Sequence, residues 1–134
     1  MRETYAGSCH CGAVRFETDI DLNDGTTRCN CSMCTKTRYW GTVVSSNAFR
    51  LLQGDDALTE YQPRSATSRH RFCSCCGVKP LGQGTVDELG GEFYAVNVAC
   101  LDDVTDEELA EAPITDVDGR HDAWGSSPTE IRYL

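Results

Sequence analysis

The stretch Gly7-Ser8-Cys9-His10-Cys11-Gly12-Ala13-Val14-Arg15-Phe16-Glu17 joins a C-x-C pair to a run of two-residue alternation. Val14 and Phe16 fall on one side of an extended chain and Arg15 and Glu17 on the other, which reads as a half-buried strand. In extended backbone, residues i and i+2 also point the same way, so the Cys9 and Cys11 sulfurs can approach one ion. Gly12 then lets the chain turn away. Two thiolates do not complete a tetrahedral metal site, so the remaining ligands must come from elsewhere.

The complement is Cys73-Ser74-Cys75-Cys76-Gly77. Cys73 and Cys76 have the C-x-x-C spacing of a zinc knuckle, with Gly77 suited to the turn behind it. Cys73 with Cys75 would be a further C-x-C pair, and Gly77 favours Cys76. Cys9, Cys11, Cys73 and Cys76 together would form a closed four-thiolate site, a usual form of structural zinc. The third group, Cys29-Asn30-Cys31-Ser32-Met33-Cys34, offers three thiolates from one loop. Three protein ligands with one vacant position is the arrangement of a catalytic zinc. A fourth ligand from Cys75, Cys100, His70 or His121 would instead make it structural.

The total of nine cysteines is odd, so a fully paired intrachain disulfide framework cannot use every thiol. Residues 1–12 show neither a basic n-region nor an apolar h-region. No apolar run approaches the roughly 18 residues of a membrane span. A reducing, cytoplasmic compartment is expected, where clustered thiols are more often ligands or catalysts than disulfide partners.

The 134 residues fit one domain, 1–134, with 40% apolar side chains and a net charge of -9. That acidity argues against nucleic acid and anionic membrane as partners. Its distribution is uneven: residues 28–79 carry +5 and residues 80–134 carry -11. Strands are also expected at 41–45, 49–53, 58–61, 67–72 and 93–98, with turns at the glycines of 82–84 and 90–91. A helix over 105–111 has Thr105 as cap and Glu108 at the capping-box position, ending before Pro113. Residues 34–38 can form a shorter helical turn. The pattern is a mainly β, antiparallel domain with one or two short helices.

On these residues the chain resembles the glutathione-dependent formaldehyde-activating family of carbon–sulfur lyases, also called S-(hydroxymethyl)glutathione synthase-like. The matching pieces are 7–16, 29–34 and 72–77, in order, with a weaker match at 121–124. The resemblance implies a zinc-stapled antiparallel β-tent and two Zn²⁺ ions per chain. Cys9, Cys11, Cys73 and Cys76 would hold the structural zinc, and Cys29, Cys31 and Cys34 the reactive one. It implies a reaction joining the glutathione thiol to formaldehyde. Asn30 departs from the family pattern, which commonly has His there, and Cys75 is an added thiol. A glutathione carboxylate needs a cationic anchor, for which Lys36 and Arg38 are candidates, with Arg64, Arg69 and Arg71 further along. Tyr39 and Trp40 are candidates for a pocket wall or for core, and His121 and Trp124 for an approach from the C-terminal part. The alternative is a non-catalytic, zinc-stabilised binding module.

Overall fold

The computed structural model describes residues 2–63, 68–87 and 90–134. A three-stranded antiparallel sheet contains β1 (Glu3–Ser8), β2 (Arg15–Ile20) and β5 (Phe49–Gln53), with β2 in the middle. Across a seven-stranded sheet run, in spatial order, β10 (Ile114–Val117), β3 (Thr26–Cys29), β4 (Trp40–Ser45), β9 (Gly91–Asn97), β8 (Leu81–Val86), β7 (Arg69–Cys73) and β6 (Leu58–Tyr61). Its pairs are antiparallel except β10 with β3. The helices are α1 (Ser32–Thr37) and α2 (Asp106–Glu111). The mainly β, antiparallel expectation holds, and among the described residues no helix is long and apolar enough to cross a membrane.

Alternation in β2 works as the sequence suggests: Phe16, Thr18 and Ile20 are buried while Arg15 is exposed. The Phe16 ring lies over Gly7 on β1, where a Cβ would sit 2.2 Å from the ring. It stacks on Phe49 at 5.2 Å between centroids, and Phe49 stacks on Tyr94 at 4.4 Å. Because Tyr94 belongs to β9, this file of rings joins the small sheet to the large one. Leu81, Val96 and Val98 complete the same core without measurable exposure.

Two expectations need correction. Residues 82–84 form strand, not turn: Gly82 pairs with Ala95 and Gly84 with Phe93. A Cβ on Gly84 would lie 2.8 Å from the Phe93 ring, so this glycine makes room for a neighbour across the ladder rather than reversing the chain. The first helix covers Ser32–Thr37 rather than 34–38. It is capped by a sulfur, since Cys31 Sγ accepts from the Cys34 amide at 3.4 Å. Cysteine is not among the usual capping residues, so the sequence carries no signal for a start at Ser32. Strands β1, β3 and β10 were not anticipated. β10 is four residues long with none buried, and its place is set by a distant contact, with Thr26 donating both its amide and its hydroxyl to Pro113 O at 2.8 Å. Thr67, the expected start of one strand, lies outside the described residues, and β7 begins at Arg69. α2 agrees with its capping box: Thr105 Oγ1 accepts from the Glu108 amide at 3.1 Å, and the Glu108 carboxylate accepts the Tyr5 hydroxyl.

Candidate metal centres

Cys9 and Cys11 leave the end of β1, and Cys73 and Cys76 leave the end of β7 in the other sheet. Their four sulfurs lie within 4.8 Å of one another. Cys9 and Cys11 are 3.7 Å apart, and Cys11 and Cys73 are 3.6 Å apart. Four sulfurs around a tetrahedral zinc at about 2.3 Å would be separated by about 3.8 Å, so the donor set fits that ion. Gly12 and Gly77 have φ of +82° and +80°, which puts a left-handed residue behind each cysteine pair. The Gly77 amide donates to Cys73 O at 2.8 Å, closing the turn that returns Cys76 to the cluster, while Cys75 is exposed. Main-chain N–H groups of Cys11 and Val78 pull the Cys76 thiol down to about 6, favouring the ligating thiolate.

The second group forms within one local segment. Cys29 ends β3, Cys31 caps α1 and Cys34 lies in its first turn, with the three sulfurs within 4.8 Å of one another. The Cys31 amide donates to Cys29 Sγ at 3.3 Å. A hydrogen bond from Cys34 is the largest influence holding the Cys29 thiol down to about 5, against burial, and main-chain N–H groups of Cys31 and Gly119 assist. The same bond and burial push Cys34 far up. Among the described residues no His, Asp, Glu or further Cys joins the three, so Cys75, Cys100, His70 and His121 supply no fourth ligand here. Cys100 is buried in the 3₁₀ turn Val98–Cys100, and burial pushes its thiol up to about 11.

Asn30, between the first two cysteines of this group, is 2% exposed and does not enter the cluster. Its Nδ2 donates to Asp118 Oδ1 at 2.9 Å, its Oδ1 accepts the Arg120 amide at 2.9 Å, and its carbonyl accepts Arg120 Nε at 3.1 Å. Asp118 also accepts from His121 Nδ1 at 2.8 Å. Asn30 therefore fastens the 3₁₀ turn Gly119–His121 against the cysteine loop. Gly119 is required by close approach, since a Cβ there would sit 2.5 Å from Cys29 Sγ and 2.7 Å from the Trp124 ring.

The three cysteines open into a cleft of about 1030 Å³. Lys36 lies at its edge and also lines a smaller adjoining hollow of about 490 Å³ beside Ser32, Thr35 and Arg120. Arg38 is turned elsewhere, donating to the main-chain oxygens of Tyr133 and Leu134 at 3.3 and 3.4 Å. Arg71 pairs with Asp55 at 2.9 Å and Arg69 with Glu60 at 4.0 Å. Arg64 lies outside the described residues. Trp40 packs against the core and donates to Thr26 Oγ1 at 2.7 Å, whereas Tyr39 lines the cleft. Trp124, 57% exposed, lines it too. Sequence reasoning missed Lys79 and Gly119 in this wall, and considered His70 only as a fourth ligand. The only local hint was a lysine three residues after Cys76.

A family model described as "Glutathione-dependent formaldehyde-activating enzyme" matches residues 4–116. A curated Halomonas elongata protein named "Putative glutathione-dependent formaldehyde-activating enzyme" is 39% identical over 79 residues, covering 52% of this chain and 50% of the relative. The match thus spans about half the length of that relative. A crystal structure of a Rhodobacter sphaeroides protein superposes with a TM-score of 0.68 at 33% identity, covering 82% of this chain and 99% of that one. Residues 118–124, which close one side of the cleft, lie beyond the span of the family match.

Proposed function

The chain belongs to the glutathione-dependent formaldehyde-activating family, and on that premise we propose that it joins the thiol of glutathione, or a related small thiol, to formaldehyde or another small aldehyde. The product is an S-hydroxymethyl adduct and the reverse reaction is a carbon–sulfur cleavage, the chemistry of a carbon–sulfur lyase. The observation that carries this reading is the three-sulfur cluster, without a fourth protein donor among the described residues, opening into a cleft.

Cys29, Cys31 and Cys34 would hold one zinc and Cys9, Cys11, Cys73 and Cys76 the other, giving two per chain. A zinc held by three thiolates would supply a position where an incoming thiol stays deprotonated near neutral pH, the nucleophilic form. Everything else falls to the chain. Gly119, having no side chain, lets the 119–121 turn close on Cys29 and donate its main-chain N–H to that sulfur. The Asn30–Asp118 bond holds the turn there. Lys36, placed between the cleft and the smaller hollow, offers an ammonium to a carboxylate of the thiol substrate. Val43, Phe93 and Trp124 give the cleft apolar surface.

The test is the rate of formaldehyde loss in the presence of glutathione with zinc-loaded protein. Acceleration over buffer, abolished in Cys31→Ser, is expected. A rate equal to buffer with two zinc ions confirmed per chain overturns the assignment and favours a zinc-stabilised binding module.

A further inference from the structure

Lys79 is one of only two lysines in the chain, and its surroundings are not those of a surface amine. Its Nζ lies 2.5 Å from His70 Nδ1 and 4.1 Å from the centroid of the Tyr39 ring. Among the described residues no carboxylate lies within ion-pair distance of it. Lys79, His70 and Tyr39 all line the cleft that holds the three cysteines.

The arrangement is fixed from several sides. Asn97 Nδ2 donates to Lys79 O at 2.9 Å and the Asn97 amide to Pro80 O at 3.0 Å, which ties the lysine backbone to the end of β9. His70 is held in β7 opposite Gly82. The Tyr39 hydroxyl donates to Ala95 O at 2.7 Å, which sets the ring whose face the ammonium meets. A lysine serving only to balance nearby thiolate charge would need no base beside it. Here an imidazole nitrogen stands within proton-transfer distance. Burial, with the Lys79 charge, holds His70 down to about 4, so the ring is neutral and meets the ammonium as a hydrogen-bond partner. Burial likewise lowers Lys79, opposed by Cys34 and Cys31.

We propose that Lys79 is an aldehyde-capturing amine, with His70 as its proton relay. His70 Nδ1 takes a proton from the ammonium. The freed Nζ lone pair forms a bond to the carbonyl carbon, and the carbonyl π pair moves onto oxygen. The oxygen receives the proton from His70, giving a carbinolamine. The nitrogen of this adduct still carries two protons; one passes through His70 to the hydroxyl, which leaves as water while the freed nitrogen lone pair forms C=N, giving an iminium, and addition of water reverses every step. No oxidant or reductant is consumed. The aldehyde class rests on the function proposed above, but capture at Lys79 involves neither the thiol nor the cysteine cluster.

The test uses the zinc-loaded 134-residue chain with limiting formaldehyde and sodium cyanoborohydride, without glutathione. Peptide mass spectrometry then follows methylation at Lys79 and Lys36. Labelling of Lys79 several-fold faster than Lys36 is expected. His70→Leu and His70→Gln should both remove that advantage while leaving the Lys36 rate unchanged. Gln retains a hydrogen-bond acceptor but carries no proton between the groups, so it separates relay from packing. Equal or slower labelling of Lys79 overturns the capture site, and an unchanged Lys79 rate in both His70 variants overturns the relay. Selective Lys79 labelling with no glutathione-dependent acceleration would remove the proposed thiol reaction and leave this site standing. Acceleration without selective labelling would do the reverse.

Discussion

The two cysteine clusters use the same atom type and differ in where their ligands come from. Cys9 and Cys11 belong to the three-stranded sheet and Cys73 and Cys76 to the seven-stranded one, so a metal held by all four would pin sheet to sheet. Cys29, Cys31 and Cys34 come from one strand end and the helix after it, and a metal there would join nothing that the backbone does not already join. Closure across sheets suits a folding element. A local three-sulfur cup beside a cleft suits exchange with something that enters. Zinc in the first cluster should therefore govern whether the chain folds, and zinc in the second what it does once folded.

The largest effect that would break this contrast is in the first cluster. Structural zinc contributes on the order of 10–16 kcal/mol to small zinc domains, so Cys73→Ser should leave most of the chain unfolded at room temperature, as read by circular dichroism. Cys31→Ser should keep the fold, lose one zinc by metal analysis and lose glutathione-dependent activity. Equal unfolding in the two variants would erase the division of roles. Next comes Gly119→Ala, whose new methyl must displace Cys29 Sγ or the Trp124 ring. A drop in zinc affinity of about 10–100-fold at the second cluster, with the first unaffected, is the scale of a disturbed ligand support. Competition with a chromophoric chelator reads both affinities.

Asn30→Ala should cost about 1–3 kcal/mol, because it strands the Arg120 amide and removes a partner of Asp118. Denaturant titration measures it, and no loss would mean that the 119–121 turn is held by other contacts. The smallest effect is in pH dependence. The His70 pKa falls from its ordinary 6.5 to about 4 on folding. Between those values the unfolded chain binds more protons, so this contribution to stability is present above about pH 6.5 and lost as pH falls through about 4. The stability difference between wild type and His70→Gln should shrink over that window. A constant difference would show that His70 titrates alike in both states.

Much of this contrast is legible in the sequence. The C-x-C and C-x-x-C spacings, the glycines after them, the alternation of β2 and the Thr105 cap are short-range features whose geometry follows from a few backbone angles. The glycines at 82 and 84 misled because the signal for a turn is the same residue that admits the Phe93 ring across a ladder. α1 began earlier than expected because a sulfur stands in for the usual oxygen cap. Asn30 was legible as a departure but not as a fastener, since its partners lie 88 and 90 residues away.

By itself, then, the sequence determined the donor atoms, their local pairing and the mainly β character, because neighbours a few residues apart are placed by the chain's own geometry. The tertiary structure alone decided that Cys11 meets Cys73 across 62 residues, and that Lys79, His70, Tyr39 and Gly119 share a wall with the second cluster. Those meetings depend on strand order and register, which are set by packing between the two sheets.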